Sequence, residues 1–189
     1  MGESASSSSP RSDKDLIVDG ESIYQYALNQ LQVPKEKIHF YGYSLGGGVS
    51  AHVKALHPEA TGHYVNERSF ASIPHVVSMH TSKWCMGGVI GCIVNKLISL
   101  LNWNLDSQSA LKNIQGKTLV VYHPQDEVVG QGAGFCHHAH AINKVEKIDL
   151  SEGNCFGHYF LHGDALSTFN TDKFKPEQQI IEFLKNSKV

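Results

Sequence analysis

The sequence predicts an α/β fold, a mostly parallel sheet with helices on both faces. Short apolar runs at residues 37–41, 62–65, 117–122 and 145–150 read as strands. Stretches with a period near 3.6 lie between and around them, and such alternation calls for parallel strands joined by crossover helices. At one junction, Gly42-Tyr43-Ser44-Leu45-Gly46, a strand runs into a helix through a turn bounded by two glycines.

Residues 3–14 carry five serines between Ser4 and Ser9, with Pro10, Arg11 and Asp13, and lack apolar periodicity. They read as a flexible N-terminal loop over residues 1–14, with the folded domain over 15–189. Asp19 is a candidate cap for a first helix, in which Ile23, Tyr24, Ala27, Leu28 and Leu31 recur at helical spacing. Pro34 follows it and the 37–41 strand enters the glycine motif. From Leu45, the apolar and small residues Gly47, Gly48, Val49, Ala51, Val53, Ala55 and Leu56 form a compact helix that stops before Pro58. Residues 117–122 are the stronger of the later strands, residues 145–150 alternate, and residues 176–184 form an amphipathic closing helix.

Residues 84–103 stand apart. Val89, Ile90, Ile93, Val94, Leu97, Ile98, Leu100 and Leu101 crowd into a stretch that approaches membrane-span length. Asn95, Lys96 and three glycines disfavour a transmembrane span. The expectation is a buried helix, with a lid or cap within residues 80–110 as the alternative.

At 189 residues and 41% apolar side chains, the chain has the size and composition of one globular domain. Sixteen basic and 18 acidic side chains give a formal charge of −2, which provides no broad positive field and argues against a nucleic-acid partner. Cys85, Cys92, Cys136 and Cys155 are too sparse for a disulfide scaffold, so free thiols and a reducing, cytoplasmic setting are expected. No classical secretory signal opens the sequence, which leaves secretion as an effector by another route. The opening Met1-Gly2-Glu3-Ser4-Ala5-Ser6 fits the myristoylation pattern in form only.

A serine hydroxyl attacks a carbonyl at neutral pH only when a base takes its proton and amide hydrogens meet the developing oxyanion. A sharp strand-to-helix turn serves both needs. Small residues at 42 and 46 permit the turn, Ser44 is lifted clear of the sheet as nucleophile, and the Leu45 amide at the helix start supplies an oxyanion donor. In sites of this kind the chain order is serine, acid, histidine. Asp126, on the loop leaving the 117–122 strand, is the expected acid, with Glu127 as fallback. His158, after the 145–150 strand, is the expected base, and His162 is its rival if that loop has already become helix. Cys136, His137, His138 and His140 could supply metal ligands, but neighbouring helical positions point apart, and a partly exposed helix is expected instead. Cys155 with His158 lacks an elbow. The chemistry requires no metal and no organic cofactor.

On these residues the chain resembles the α/β-hydrolase superfamily, from the helix before the elbow to the last helix. The stretch 33–48, with its run into Gly-Tyr-Ser-Leu-Gly-Gly-Gly, carries most of the resemblance. Val65-Asn66-Glu67-Arg68-Ser69-Phe70 and residues 117–126 are similar to uncharacterised hydrolases of intracellular bacterial pathogens. Gly2-Glu3-Ser4 looks like the end of the family's N-x-R-G-x-G-x-S loop. The resemblance thus implies the C-terminal portion of the fold, a shortened chain, a second oxyanion donor carried upstream, and an apolar sheet edge open to association.

The expected function is hydrolysis of a carboxylic ester or thioester, from a small molecule or a lipid, through a Ser-His-Asp triad and an acyl-enzyme. Acyl transfer to an alcohol uses the same residues. The alternative is a non-catalytic hydrolase fragment acting as a binding or interaction module.

Overall fold

The structure is a computed structural model and describes residues 9–82, 87–138, 145–153 and 161–186. Helix α1 (Asp13–Asn29) begins earlier than expected. Ser12 Oγ accepts the Asp15 N–H, and the Asp15 carboxylate accepts the Ser12 N–H, a reciprocal cap that lies about two turns before Asp19. The Asp13 carboxylate also accepts the amides of Asn104 and Leu105, both at 3.0 Å, fastening the helix start to the rest of the domain. Residues 12–14 therefore belong to the fold and not to a loop. The expected apolar stripe is only partly used: Tyr24 is buried, whereas Ile23 and Leu31 are exposed.

Strands β1 (Phe40–Tyr43), β2 (Tyr64–Glu67), β3 (Thr118–Tyr122) and β4 (Val145–Asp149) form one parallel sheet in the order β1-β2-β3-β4. A 3₁₀ turn at Lys35–Lys37 delays β1, so the strand extends through Gly42 of the motif. Side chains alternate between two cores. Phe40, Tyr64 and Val120 pack on one face with Tyr24 of α1, Ala51 and Val53 of α2 (Leu45–Leu56), and Leu111 of α5 (Ser107–Leu111). Val65, Leu119, Val121 and Ile148 pack on the other face, with Phe169 and with Ile180 and Phe183 of α7 (Pro176–Lys185). Helices thus cover both faces, as the alternation of elements implied.

The outer side of β1 faces no strand among the described residues. The Phe40 and Ser44 amides donate to the carbonyls of His63 and Glu67, both at 2.9 Å, which directs the backbone groups of Tyr41 and Tyr43 to the open edge. Beside that edge lies an apolar groove of about 820 Å³, lined by Leu16, Ile23, Tyr24, Phe40 and Val49 among others.

The first residues of the 84–103 stretch lie outside the described residues. The remainder forms α4 (Gly87–Leu100), packed on α3 (Ile73–Thr81). Gly91 lets the two approach, since a Cβ there would lie 2.6 Å from Thr81 Oγ1. The expectation of a buried helix is corrected: Val89, Ile93, Leu97 and Leu100, spaced along one face, are exposed because, among the described residues, α4 packs chiefly on α3 and not inside a surrounding core. Among the described residues no helix is long and apolar enough to cross a membrane.

One buried charge couples this core to pH. Lys54 of α2 is fully buried, and its Nζ donates to the carbonyls of Ala60 and Gly62 at 2.9 and 2.5 Å, 5.0 Å from the Phe40 ring centroid. Burial pushes its pKa down from 10.5 to about 8. The unfolded chain therefore holds this proton more tightly, so folding pays on the order of 3 kcal/mol below the folded pKa, a cost that vanishes as pH rises from 8 towards 10.5. Denaturant titrations at about pH 7.5 and about pH 10 are expected to show the wild type gaining on the order of 2 kcal/mol relative to Lys54→Met. Parallel pH profiles for the two proteins would contradict this account.

Candidate active site

Ser44 occupies the turn between β1 and α2 with φ 51° and ψ −121°. A non-glycine residue held at positive φ costs on the order of 1–3 kcal/mol and persists only where its surroundings enforce it. Here the Ser44 amide donates to the Glu67 carbonyl at 2.9 Å and its carbonyl accepts the Gly47 amide at 3.0 Å. Gly42 is required by space, because a Cβ there would stand 2.2 Å from the Gly46 carbonyl oxygen. Gly47 is required likewise, with Ser69 Cβ 2.5 Å away. At Gly46 no described atom stands within 4 Å of an added Cβ, so the steric need expected at both flanking glycines holds at Gly42 alone. Leu45, as the first residue of α2, has an amide with no acceptor inside the helix.

Three side chains distant in sequence meet at the carboxyl edge of the sheet. His162 Nε2 lies 2.9 Å from Ser44 Oγ, and His162 Nδ1 lies 2.8 Å from Asp126 Oδ2. The imidazole and the carboxylate are both buried. Asp126 sits on the loop after β3, and its Oδ1 accepts the amides of Val128 and Val129 at 2.9 and 2.8 Å. Burial alone would push its carboxyl up. The hydrogen bonds from His162, Val129 and Val128, with the attraction of the imidazole, outweigh burial and hold it below the ordinary carboxylate value. An ionised carboxylate only accepts, so the proton of a neutral His162 belongs on Nδ1, leaving Nε2 to accept the Ser44 hydroxyl.

Glu127, the fallback acid, meets the backbone of His162 and not its ring: Oε1 accepts the His162 amide at 3.0 Å. His158 lies outside the described residues, as does Cys155. Cys136 and His137 fall on α6 (Phe135–His138), the cysteine buried and the histidine exposed, and His140 lies outside the described residues. Among the described residues no group of three His, Cys, Asp or Glu side chains is arranged to hold a metal ion.

Solved structures resolve the architecture. An alpha-beta hydrolase from Vibrio vulnificus matches 93% of this chain with a TM-score of 0.65 at 18% identity. The fold is that of an α/β-hydrolase. An acetyl xylan esterase from Paenibacillus sp. R4 matches 91% of the chain, with TM-score 0.64 and 16% identity. The acylaminoacyl peptidase of Pyrococcus horikoshii matches 92%, with TM-score 0.60 and 16% identity. The chain spans about half the length of the first two structures, 58% and 52%, and 28% of the peptidase. No family model matches the sequence. At these identities the likeness defines an α/β-hydrolase fold and leaves the substrate to the chemistry of the site.

Sequence reasoning overlooked the residues that frame His162. Tyr43, inside the motif itself, donates its hydroxyl to the His162 carbonyl and sets its ring 5.4 Å from the imidazole. Arg68 reaches the same segment from the end of β2. A signal was available for the second: an adjacent Glu67-Arg68 pair directly after an apolar strand is an unusual place for two charges.

Proposed function

We propose that this chain is a serine hydrolase of carboxylic esters or thioesters, with Ser44 as nucleophile, His162 as base and Asp126 as the acid that orients it. The continuous relay from Ser44 Oγ to His162 Nε2 and from Nδ1 to Asp126 carries the reading. Ser44 Oγ attacks the acyl carbon as its proton passes to Nε2, and Asp126 stabilises the imidazolium. The oxyanion meets the Leu45 amide. Collapse expels the alcohol or thiol, which takes the proton from Nε2, and leaves an acyl-Ser44. Water, deprotonated by the same imidazole, then attacks the acyl carbon, and Ser44 is reprotonated as the acid departs. His162 takes the role first expected of His158 because its two ring nitrogens meet both partners at hydrogen-bond distance.

Among the described residues the elbow supplies one oxyanion donor, the Leu45 amide. Hydrolysis of activated esters is the expected activity. A binding role is the second reading, favoured by the open edge of β1. Fluorophosphonate labelling separates the two. The wild type is expected to label stoichiometrically and Ser44→Ala not at all, whereas a folded wild type that resists the reagent would favour the binding role.

A further inference from the structure

His162 stands in a segment without ladder or helix of its own, residues 161–164 making turns only. Side chains from other elements hold this backbone. Arg68 Nη1 donates to the carbonyls of Leu161 and Asp164, both at 2.7 Å, bracketing His162. Its Nε and Nη2 donate to Glu67 Oε1 at 3.1 and 2.5 Å, so four of the five guanidinium hydrogens are engaged. The Arg68 guanidinium carbon lies 5.1 Å from the Tyr43 ring centroid and 5.8 Å from that of Phe169, within cation–π range of both.

The same dipeptide is tied to the nucleophile. The Glu67 carbonyl accepts the Ser44 amide, the Arg68 amide donates to the Val121 carbonyl at 2.7 Å, and Arg68 itself is held at φ 44°. Both side chains are buried, and burial pushes the Glu67 carboxyl up against the pull of Arg68. A buried guanidinium with this many directed bonds and a strained backbone is an expensive way merely to fill space.

We propose that Arg68, locked by Glu67, is the positioning residue of the base: it fixes the 161–164 backbone so that the imidazole stands in register with Ser44. This rests on His162 acting as the base, as read above. Arg68 works through the loop and touches no substrate. A lysine ammonium has donors on one atom only, so it can replace Nη1 at the two carbonyls but has no counterpart of the separate Nε and Nη2 donors that hold Glu67.

The test uses the whole chain, Arg68→Lys, and the charge-neutral pair Glu67→Gln with Arg68→Met, which avoids stranding a buried carboxylate. Two readouts are compared in protein shown to be folded by its thermal transition: the low-field proton resonance of His162 Nδ1–H, identified by its absence from His162→Gln, and the rate of fluorophosphonate labelling. The paired variant is expected to lose the resonance and to label at least about 100-fold more slowly, with KM for a short activated ester within about threefold of wild type. Arg68→Lys is expected to fall between. Wild-type resonance and rate in the paired variant, or full function in Arg68→Lys, would overturn the proposal. If the wild type shows the resonance without labelling and the paired variant loses it, positioning stands and the hydrolase reading fails. A folded wild type with neither signal would overturn both.

Discussion

His162→Ala is expected to lower turnover of an activated ester by on the order of 10⁴-fold or more, close to the loss from Ser44→Ala, whereas His158→Ala changes it by no more than about threefold. Without the imidazole, the Ser44 hydroxyl keeps its proton and the leaving group receives none, so acylation and deacylation fail together. Combining Ser44→Ala with His162→Ala adds little further loss, because residues of one relay act as a unit. Single-turnover kinetics with a p-nitrophenyl ester would measure this directly. The reverse ranking, a silent His162→Ala and an inactive His158→Ala, would assign the base to the other histidine.

Asp126→Asn is expected to leave the fold intact and lower turnover by on the order of 10⁴-fold. The asparagine amide donates to Nδ1, which forces the imidazole proton onto Nε2, where it opposes the Ser44 hydroxyl instead of accepting from it. The substitution also has a signature in acid. The folded Asp126 carboxyl titrates below its ordinary value, so its contribution to stability is present above the unfolded carboxylate pKa and is lost as pH falls through the folded one. Asp126→Asn removes that term, and its stability curve is expected to be flatter than wild type below about pH 4. Equal activity in the two proteins would remove Asp126 from the relay.

The sequence made Ser44 and Asp126 legible because each is defined by what lies beside it in the chain: a strand ending in a glycine-bounded turn, and a carboxylate on the loop leaving a strand. His162 was readable only as one of two histidines four residues apart. In the proposed reading His162 is chosen because its ring nitrogens meet Asp126 and Ser44, 36 and 118 residues away in the chain, which local pattern does not carry. Local pattern also misjudged two helices. The cap of α1 was assigned to Asp19 when the reciprocal bonds of Ser12 and Asp15 start the helix sooner. For α4, hydrophobicity alone suggested burial, whereas exposure depends on how many neighbours the fold brings to it. The four strands were found with bounds up to three residues adrift, because ladder bonds set their ends.

The strands stand side by side in the order in which the ribosome makes them. Among the described strands none must be threaded between two already paired, so this part of the sheet grows at one margin, each newcomer docking on its immediate predecessor as it emerges. The proposed reacting groups follow the same timetable, Ser44 first, Asp126 well after, and His162 only when the last of the described strands has been laid down. On the proposed reading, a nascent chain thus presents the Ser44 hydroxyl before the imidazole that would activate it has been made.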